Sequence, residues 1–231
     1  MIAATPSRDA FAAILAKDLR VELRTLRSVP AMAIFAITTF VIFRFGLDRT
    51  QLSGDLAAGV LVATLLFAAI LAINRLFVAE RDEGGFELVR LAPVDRSVLF
   101  TAKAAALAIY LLVLELVAVP AFAVFFLDSD SAGGLPFLLG VLVLADIGLA
   151  ATGTLISSIA VNSSARDLLG PLILLPLLVP LVIATAGAAE PLLAAGGPQH
   201  DRLATWLAVL ALYDSVFVLI GYAVFDFLLE D

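Results

Sequence analysis

The sequence predicts an all-α membrane protein, six transmembrane helices preceded by an amphipathic interfacial helix, and three observations predict it. Hydrophobic residues make up 62% of the 231 residues and charged residues only 15%, whereas a soluble domain is roughly half apolar and a quarter charged. The apolar residues gather into six runs, most of them long enough to cross a bilayer core, which takes about 20 residues as a helix. The basic residues fall almost entirely between those runs, and mostly on one side.

The runs are 29–45, 56–78, 98–127, 135–161, 168–189 and 203–229. They are too long for barrel strands and lack the alternation of such strands, so helix is the expected form. The first is the shortest. The third starts ahead of Lys103, whose long stem is expected to snorkel toward the interface. With the N-terminus cytoplasmic, one side holds Arg8, Lys17, Arg20, Arg24, Arg27, Arg75, Arg81, Arg90, Arg96, Lys103 and Arg166, and the other only Arg44, Arg49 and Arg202. That bias places both termini inside. The charges from Arg8 to Arg27 precede the first apolar run, unlike a secretory signal peptide, so the first residues are expected to be kept.

Composition narrows the chemistry. The net charge of −7 says little in a membrane protein, where the side on which each charge sits matters more. No basic patch with interleaved aromatics points to nucleic acid. The chain has no cysteine, which excludes disulfides, thiolate metal sites and thiol catalysis. One histidine, His200, leaves too few ligands for a zinc-type site.

Residues 1–28 are expected as a separate interfacial helix and 29–231 as the transmembrane domain, with 79–97 as its long cytoplasmic loop. In the first segment Phe11, Ile14, Leu15, Leu19, Leu23 and Leu26 recur at three- and four-residue steps, while Arg8, Lys17, Asp18, Arg20, Arg24 and Arg27 fall mostly elsewhere. That is an amphipathic helix suited to the inner-leaflet interface, or an elbow that also touches a cytoplasmic partner. Ser28 and Pro30 should end it and open the first spanning helix.

The loop carries Glu80-Arg81-Asp82-Glu83-Gly84-Gly85-Phe86-Glu87-Leu88-Val89-Arg90-Leu91-Ala92-Pro93. Four charges lead into a glycine pair, where the backbone can turn sharply. A short helix bearing Phe86, Leu88 and Val89 follows, and Pro93 stops it. Such a piece fits a groove on a soluble protein, with apolar anchors and charges that set orientation. An ordinary solvated surface helix has the same composition.

In the fifth run, Leu175-Pro176-Leu177-Leu178-Val179-Pro180-Leu181-Val182-Ile183-Ala184-Thr185 holds two prolines four residues apart. Each removes a backbone donor and crowds the preceding turn. The helix is therefore expected to break at Pro176 and Pro180, with the irregular part facing protein or water.

The loop resembles the E-R-x-x-G-x-x-E-…-P pattern of type-2 ABC export permeases. Gly85-Phe86 departs from it, since Ser or Thr followed by Leu is common there. The proline-bearing phrase is similar to the fifth-helix signature of the haem exporter protein B family, CcmB, as is Arg75-Leu76-Phe77 ahead of the loop. The resemblance implies a type-2 ABC exporter-like fold in the bacterial inner membrane, and a non-catalytic permease subunit in cytochrome c maturation. Glu80, Arg81, Asp82, Glu83, Gly84, Gly85, Phe86, Glu87, Leu88 and Pro93 would form its ATPase-coupling element. The implied partners are an ATPase subunit (CcmA), a haem-handling membrane subunit (CcmC), a small membrane subunit (CcmD) and a periplasmic haem chaperone (CcmE). The residues alone also fit a general ABC-2 permease for a drug, lipid or polysaccharide, or an ATPase-independent transporter or assembly scaffold.

No G-x-x-x-x-G-K-[ST] sequence is present. The two lysines, Lys17 and Lys103, do not follow glycine, so ATP is expected to be bound by a partner. Haem iron takes His, Met, Cys or Tyr as axial ligands. Here those reduce to His200 in the outer loop near Trp206, and to Met32, Tyr110, Tyr213 and Tyr222. No tryptophan-rich segment could cradle a porphyrin. No directly bound cofactor is expected, and haem, if handled, is expected to be held by a partner.

Three acids lie inside spanning runs: Glu115, Asp146 and Asp214. Each is about 17 Å from the nearer end of its run at 1.5 Å per residue, near the midplane. An ionisable group there costs ~2.5–3.5 kcal/mol on insertion scales and usually faces the bundle interior. No Lys or Arg shares that depth. Two of them are expected to converge, with one or more protonated. Separate acids bonded to hydroxyls or backbone, or facing a partner, are the other arrangement.

Overall fold

The computed structural model describes residues 7–47, 51–76, 95–128, 131–160, 166–195 and 203–228. They form seven α-helices: α1 (Ser7–Thr25), α2 (Val29–Gly46), α3 (Gly54–Ile73), α4 (Arg96–Phe126), α5 (Leu135–Ala160), α6 (Arg166–Ala189) and α7 (Leu203–Leu228). Short 3₁₀ turns at Ser131–Gly134 and Glu190–Leu193 lead into α5 and out of α6. There is no strand among the described residues. Six helices, α2 to α7, are long and apolar enough to cross a membrane. The expected all-α, six-span architecture is the one observed, and most helix ends lie within two residues of the sequence reading. The exception is α3, which stops at Ile73 and gives way to a turn through Leu76.

The helix starts have local causes. Asp95 precedes α4 in extended conformation, and its carboxylate accepts the Ser97 N–H at 3.2 Å, which satisfies an orphan donor of the first turn. At α2 the cap is borrowed. Ser28 lies in helical conformation and makes no side-chain cap. Instead the Glu22 carboxylate, from the preceding helix, accepts the N–H groups of Ser28 and Val29 at 2.8 and 2.9 Å. The break between α1 and α2 is set by Leu26, whose φ of 49° is left-handed. For a leucine that conformation costs ~1–3 kcal/mol, and the Glu22 contacts on the far side of the bend help to hold it.

Helix α5 is the centre of the bundle, packed on α4, α6 and α7, with α3 reaching it beside α6. Helix α2 lies outside, against α3 and α4. Phe40 of α2 meets Phe122 and Phe126 of α4 at ring separations of 5.5 and 6.1 Å, and closes that end of the bundle. Water gives no drive for helices to associate in lipid, so close backbone approach carries the packing. Gly153 of α5 shows it: a Cβ there would stand 2.7 Å from Ile73 of α3 and 3.3 Å from Leu107 of α4.

The expected break in α6 does not occur. The helix is continuous from Arg166 to Ala189, and Pro176 and Pro180 are both exposed on its outer side. A ring pointing outward keeps clear of the core, while the carbonyl of Leu177, three residues before Pro180, accepts the Tyr213 hydroxyl of α7 at 3.2 Å. Pro120 of α4 is likewise within an unbroken helix and exposed.

Replacing Gly153 with Val should destabilise the protein by ~1–3 kcal/mol through overpacking. Gly59→Val should not, because nothing lies within 4 Å of a Cβ there. Thermal unfolding of the two variants in the same detergent distinguishes them.

Candidate functional site

Two groups of polar residues stand out in the bundle. The first gathers where α1 meets the ends of the segment 77–94. The Lys103 ammonium of α4 lies 3.0 Å from Asp18 Oδ2 of α1, with side chains only 2% and 9% exposed. The contact is an ion pair, since Oδ2 takes no aligned hydrogen bond. Lys103 also donates to the Leu76 carbonyl at 3.4 Å, and Tyr110 of α4 donates to the Asp18 carbonyl at 3.1 Å. Arg75 donates to the carbonyl of Arg27 at 2.6 Å. The last residues before segment 77–94 and the first helix after it are thus tied to α1 and to its junction with α2.

This arrangement corrects two expectations. Lys103 does not snorkel: it is buried, because Asp18 supplies a counter-charge inside the bundle, and a buried charge needs a partner. Nor does α1 turn a purely apolar face inward. Ile14, Leu15 and Leu19 pack on the core, but Asp18 and Glu22 are buried beside them. Leu23 and Leu26 point outward, 75% and 60% exposed. A sequence signal for this existed: Asp18 and Glu22 are four apart on a basic helix, and Lys103 is the single lysine within a spanning run. The predicted coupling residues Glu80, Arg81, Asp82, Glu83, Gly84, Gly85, Phe86, Glu87, Leu88 and Pro93 lie outside the described residues, as does His200.

The second group holds the intramembrane acids. Glu115, Asp146 and Asp214 each lie about 17 Å, eleven residues, from the same end of the bundle, measured from Phe126, Leu135 and Leu203. Glu115 of α4 and Asp146 of α5 lie side by side, their carboxyl groups within hydrogen-bonding reach of each other. Both are buried and line a cavity bounded by Val62, Leu66 and Ala69 of α3 and by Leu181, Val182 and Thr185 of α6. Its volume is about 40 Å³, room for about three water molecules.

Asp214 is not part of this pair. It is buried on α7, with its Oδ1 against Gly148 of α5, where a Cβ would overlap it. Gly148 is two residues beyond Asp146, about 200° around the helix. The two aspartates therefore flank opposite sides of α5. Beside Asp214, Tyr213 shares a hydrogen bond with Thr152 at 3.0 Å.

Comparison with known proteins bears on what such a bundle does. The family model described as CcmB protein matches residues 9–227. The chain belongs to the CcmB family. Three curated relatives are each called heme exporter protein B. That of Rhodobacter capsulatus is 29% identical over 172 residues, 74% of this chain and 78% of the relative. The Bradyrhizobium diazoefficiens protein is 27% identical over 184 residues, 78% and 81% of the two chains. The Pseudomonas aeruginosa protein is 27% identical over 203 residues, 87% and 89%.

For a CcmB-family chain, the conceivable iron ligands sit in telling places. Met32 is fully buried, and Tyr110 and Tyr213 are buried with their hydroxyls engaged in the bonds above. Tyr222 is 57% exposed on the outside of α7. The cavity beside Glu115 and Asp146 is far too small for a porphyrin. Among the described residues no group of three or more His, Cys, Asp or Glu side chains could hold a metal ion.

Lys103→Met should destabilise the protein by less than the ~3–5 kcal/mol of a buried charge left alone, because Lys17 still stands 3.1 Å from Asp18 Oδ1 at the edge of the bundle. Pairing it with Asp18→Leu should recover most of that loss. A double-mutant cycle on the thermal unfolding of the purified protein measures both.

Proposed function

We propose that this chain is the non-catalytic permease subunit of an ABC-type haem exporter in cytochrome c maturation. It couples ATP hydrolysis in a separate subunit to release of haem, or of a haem-loaded chaperone, on the outer side of the bacterial inner membrane. The observation that carries this reading is the family match across residues 9–227, together with three relatives named heme exporter protein B.

Charge supports the orientation. Counted along the sequence, 11 of the 14 Lys and Arg residues fall in segments expected on the α1 side of the membrane and three in those expected on the other, a bias that supports a cytoplasmic α1. Segment 77–94, with Glu80–Pro93 as the coupling element, then faces a cytoplasmic ATPase. The contacts at its two ends support a mechanical role. A push on the segment is delivered to Arg75 and Leu76 on one side and to α4 on the other, and both are held to α1 by hydrogen bonds and the Lys103–Asp18 pair. In this reading α1 and the segment move as a unit, and α4 carries the movement to the midplane at Glu115.

Haem is cargo in this scheme. The small cavity and the buried Met and Tyr side chains favour a haem-handling membrane partner that holds the porphyrin, with a small membrane subunit beside it and a periplasmic haem chaperone as acceptor. The chain itself supplies the moving part.

An ATPase subunit and a haem-handling subunit should co-purify with this chain in mild detergent. Replacing Gly84 and Gly85 with leucine should leave ATPase binding in place and sharply slow release of the haem chaperone. Normal release from a complex of normal composition would refute the coupling role of that segment.

A further inference from the structure

We propose that Glu115 and Asp146 form a proton-binding site: the pair holds one exchangeable proton in a carboxyl–carboxylate hydrogen bond, reached by water through the cavity between α3 and α6. The inference rests on geometry and does not depend on what the complex transports.

Two buried carboxyl groups packed side by side on one small cavity require a shared proton. An ionised carboxylate only accepts, so two carboxyl groups joined by a hydrogen bond contain at least one O–H between them. Glu115 and Asp146 stand within reach of such a bond, and they are 4% and 9% exposed. Among the described residues lining the cavity there is no other ionisable group. Helix α3 contributes Val62, Leu65, Leu66 and Ala69 to the cavity, and α6 contributes Leu181, Val182 and Thr185. The Thr185 hydroxyl donates to the Leu181 carbonyl at 2.7 Å. On α7, Asp214 lies behind α5 at Gly148. Two full negative charges at this spot would stand side by side with no cation to offset them, an arrangement the low-dielectric interior disfavours.

The adjoining cavity marks the pair as an exchange site rather than a sealed contact. Asp146 Oδ2 is buried and has no hydrogen-bond partner, although buried polar atoms nearly always have one. Asp146 lines the cavity, whose volume of about 40 Å³ accommodates about three waters. A water there satisfies Oδ2 and provides a path along which the proton leaves. Leu65, Leu66 and Val182 are the partly exposed liners, which puts the mouth of that path at the seam of α3 and α6. Loss of the proton leaves two like charges across the α4–α5 contact. Proton occupancy and the tightness of that contact are therefore linked.

The test reads the carboxylic-acid C=O stretch by infrared difference spectroscopy of the full chain with its co-purifying subunits, at neutral pH, in water and in D₂O. The expected result is a protonated-carboxyl band that shifts in D₂O. It moves in Glu115→Gln and in Asp146→Asn, vanishes in the double variant, and is unchanged in Asp214→Asn. Wild-type protein with no carboxylic-acid band at neutral pH overturns the proposal without recourse to variants. So does a band that survives in the double variant, since its proton then belongs elsewhere. Ala69→Leu, which fills the cavity beside the pair, should keep the band and slow its exchange several-fold. An unchanged exchange rate would overturn the cavity as the route.

Discussion

A buried ion pair holds the first helix onto the bundle. Lys103 and Asp18 come from helices far apart in the chain, and both are removed from water. The Lys103 charge is not tolerable there alone, because a buried charge needs a partner in place of its hydration, and Asp18 is further neutralised by Lys17 at 3.1 Å. Together Lys103 and Asp18 fix the rotation and depth of α1 against α4. Other features of that end follow from this placement. Glu22, one turn beyond Asp18, reaches the open N-terminus of α2. The chain bends at Leu26, and Arg75 can then reach the carbonyl of Arg27. A helix whose spacing suggests an interfacial anchor is thereby also fastened to the bundle through its side chains.

Helix α5 organises the rest. Its small residues let neighbours approach from several directions: Gly153 admits Ile73 and Leu107, and Gly148 admits Asp214, Tyr213 and Leu181. Its one acid, Asp146, points to the face between α4 and α6. The same helix thus separates the intramembrane acids into an adjacent pair on one side and a single aspartate on the other. The pair has room for water beside it, whereas Asp214 is pressed against backbone. That difference in surroundings, not in residue type, is what makes one of the sites suited to proton exchange.

The permease reading gives these features a common use. On the proposed reading the chain works as a lever, and a lever in a membrane needs both a handle at the surface and stiff continuity to the midplane. Helix α4 is the longest helix, with 31 residues. It starts next to segment 77–94, carries Lys103 within its first turns and Glu115 at mid-membrane. Its contacts run from α1 through to α5. The exposed prolines of α4 and α6 sit on outward faces, where their rings do not disturb this packing.

Hydropathy and charge determined much by themselves. The six spans, their ends to within a few residues and the one-sided distribution of Lys and Arg are local properties, because lipid imposes length and polarity on each span independently. The equal depth of Glu115, Asp146 and Asp214 was legible for the same reason, since rise per residue is fixed. Which of them meet was not. Azimuth around each helix depends on how helices pack, so only the tertiary structure brings Glu115 beside Asp146 and turns Asp214 away. The same holds for Lys103, which alone reads as a snorkelling cation and is paired only because α1 folds back onto α4. It holds also for Pro176 and Pro180, which alone read as a break and are accommodated because they face outward. Local sequence sets how far along the membrane normal a residue lies; the packing of distant helices sets what it touches.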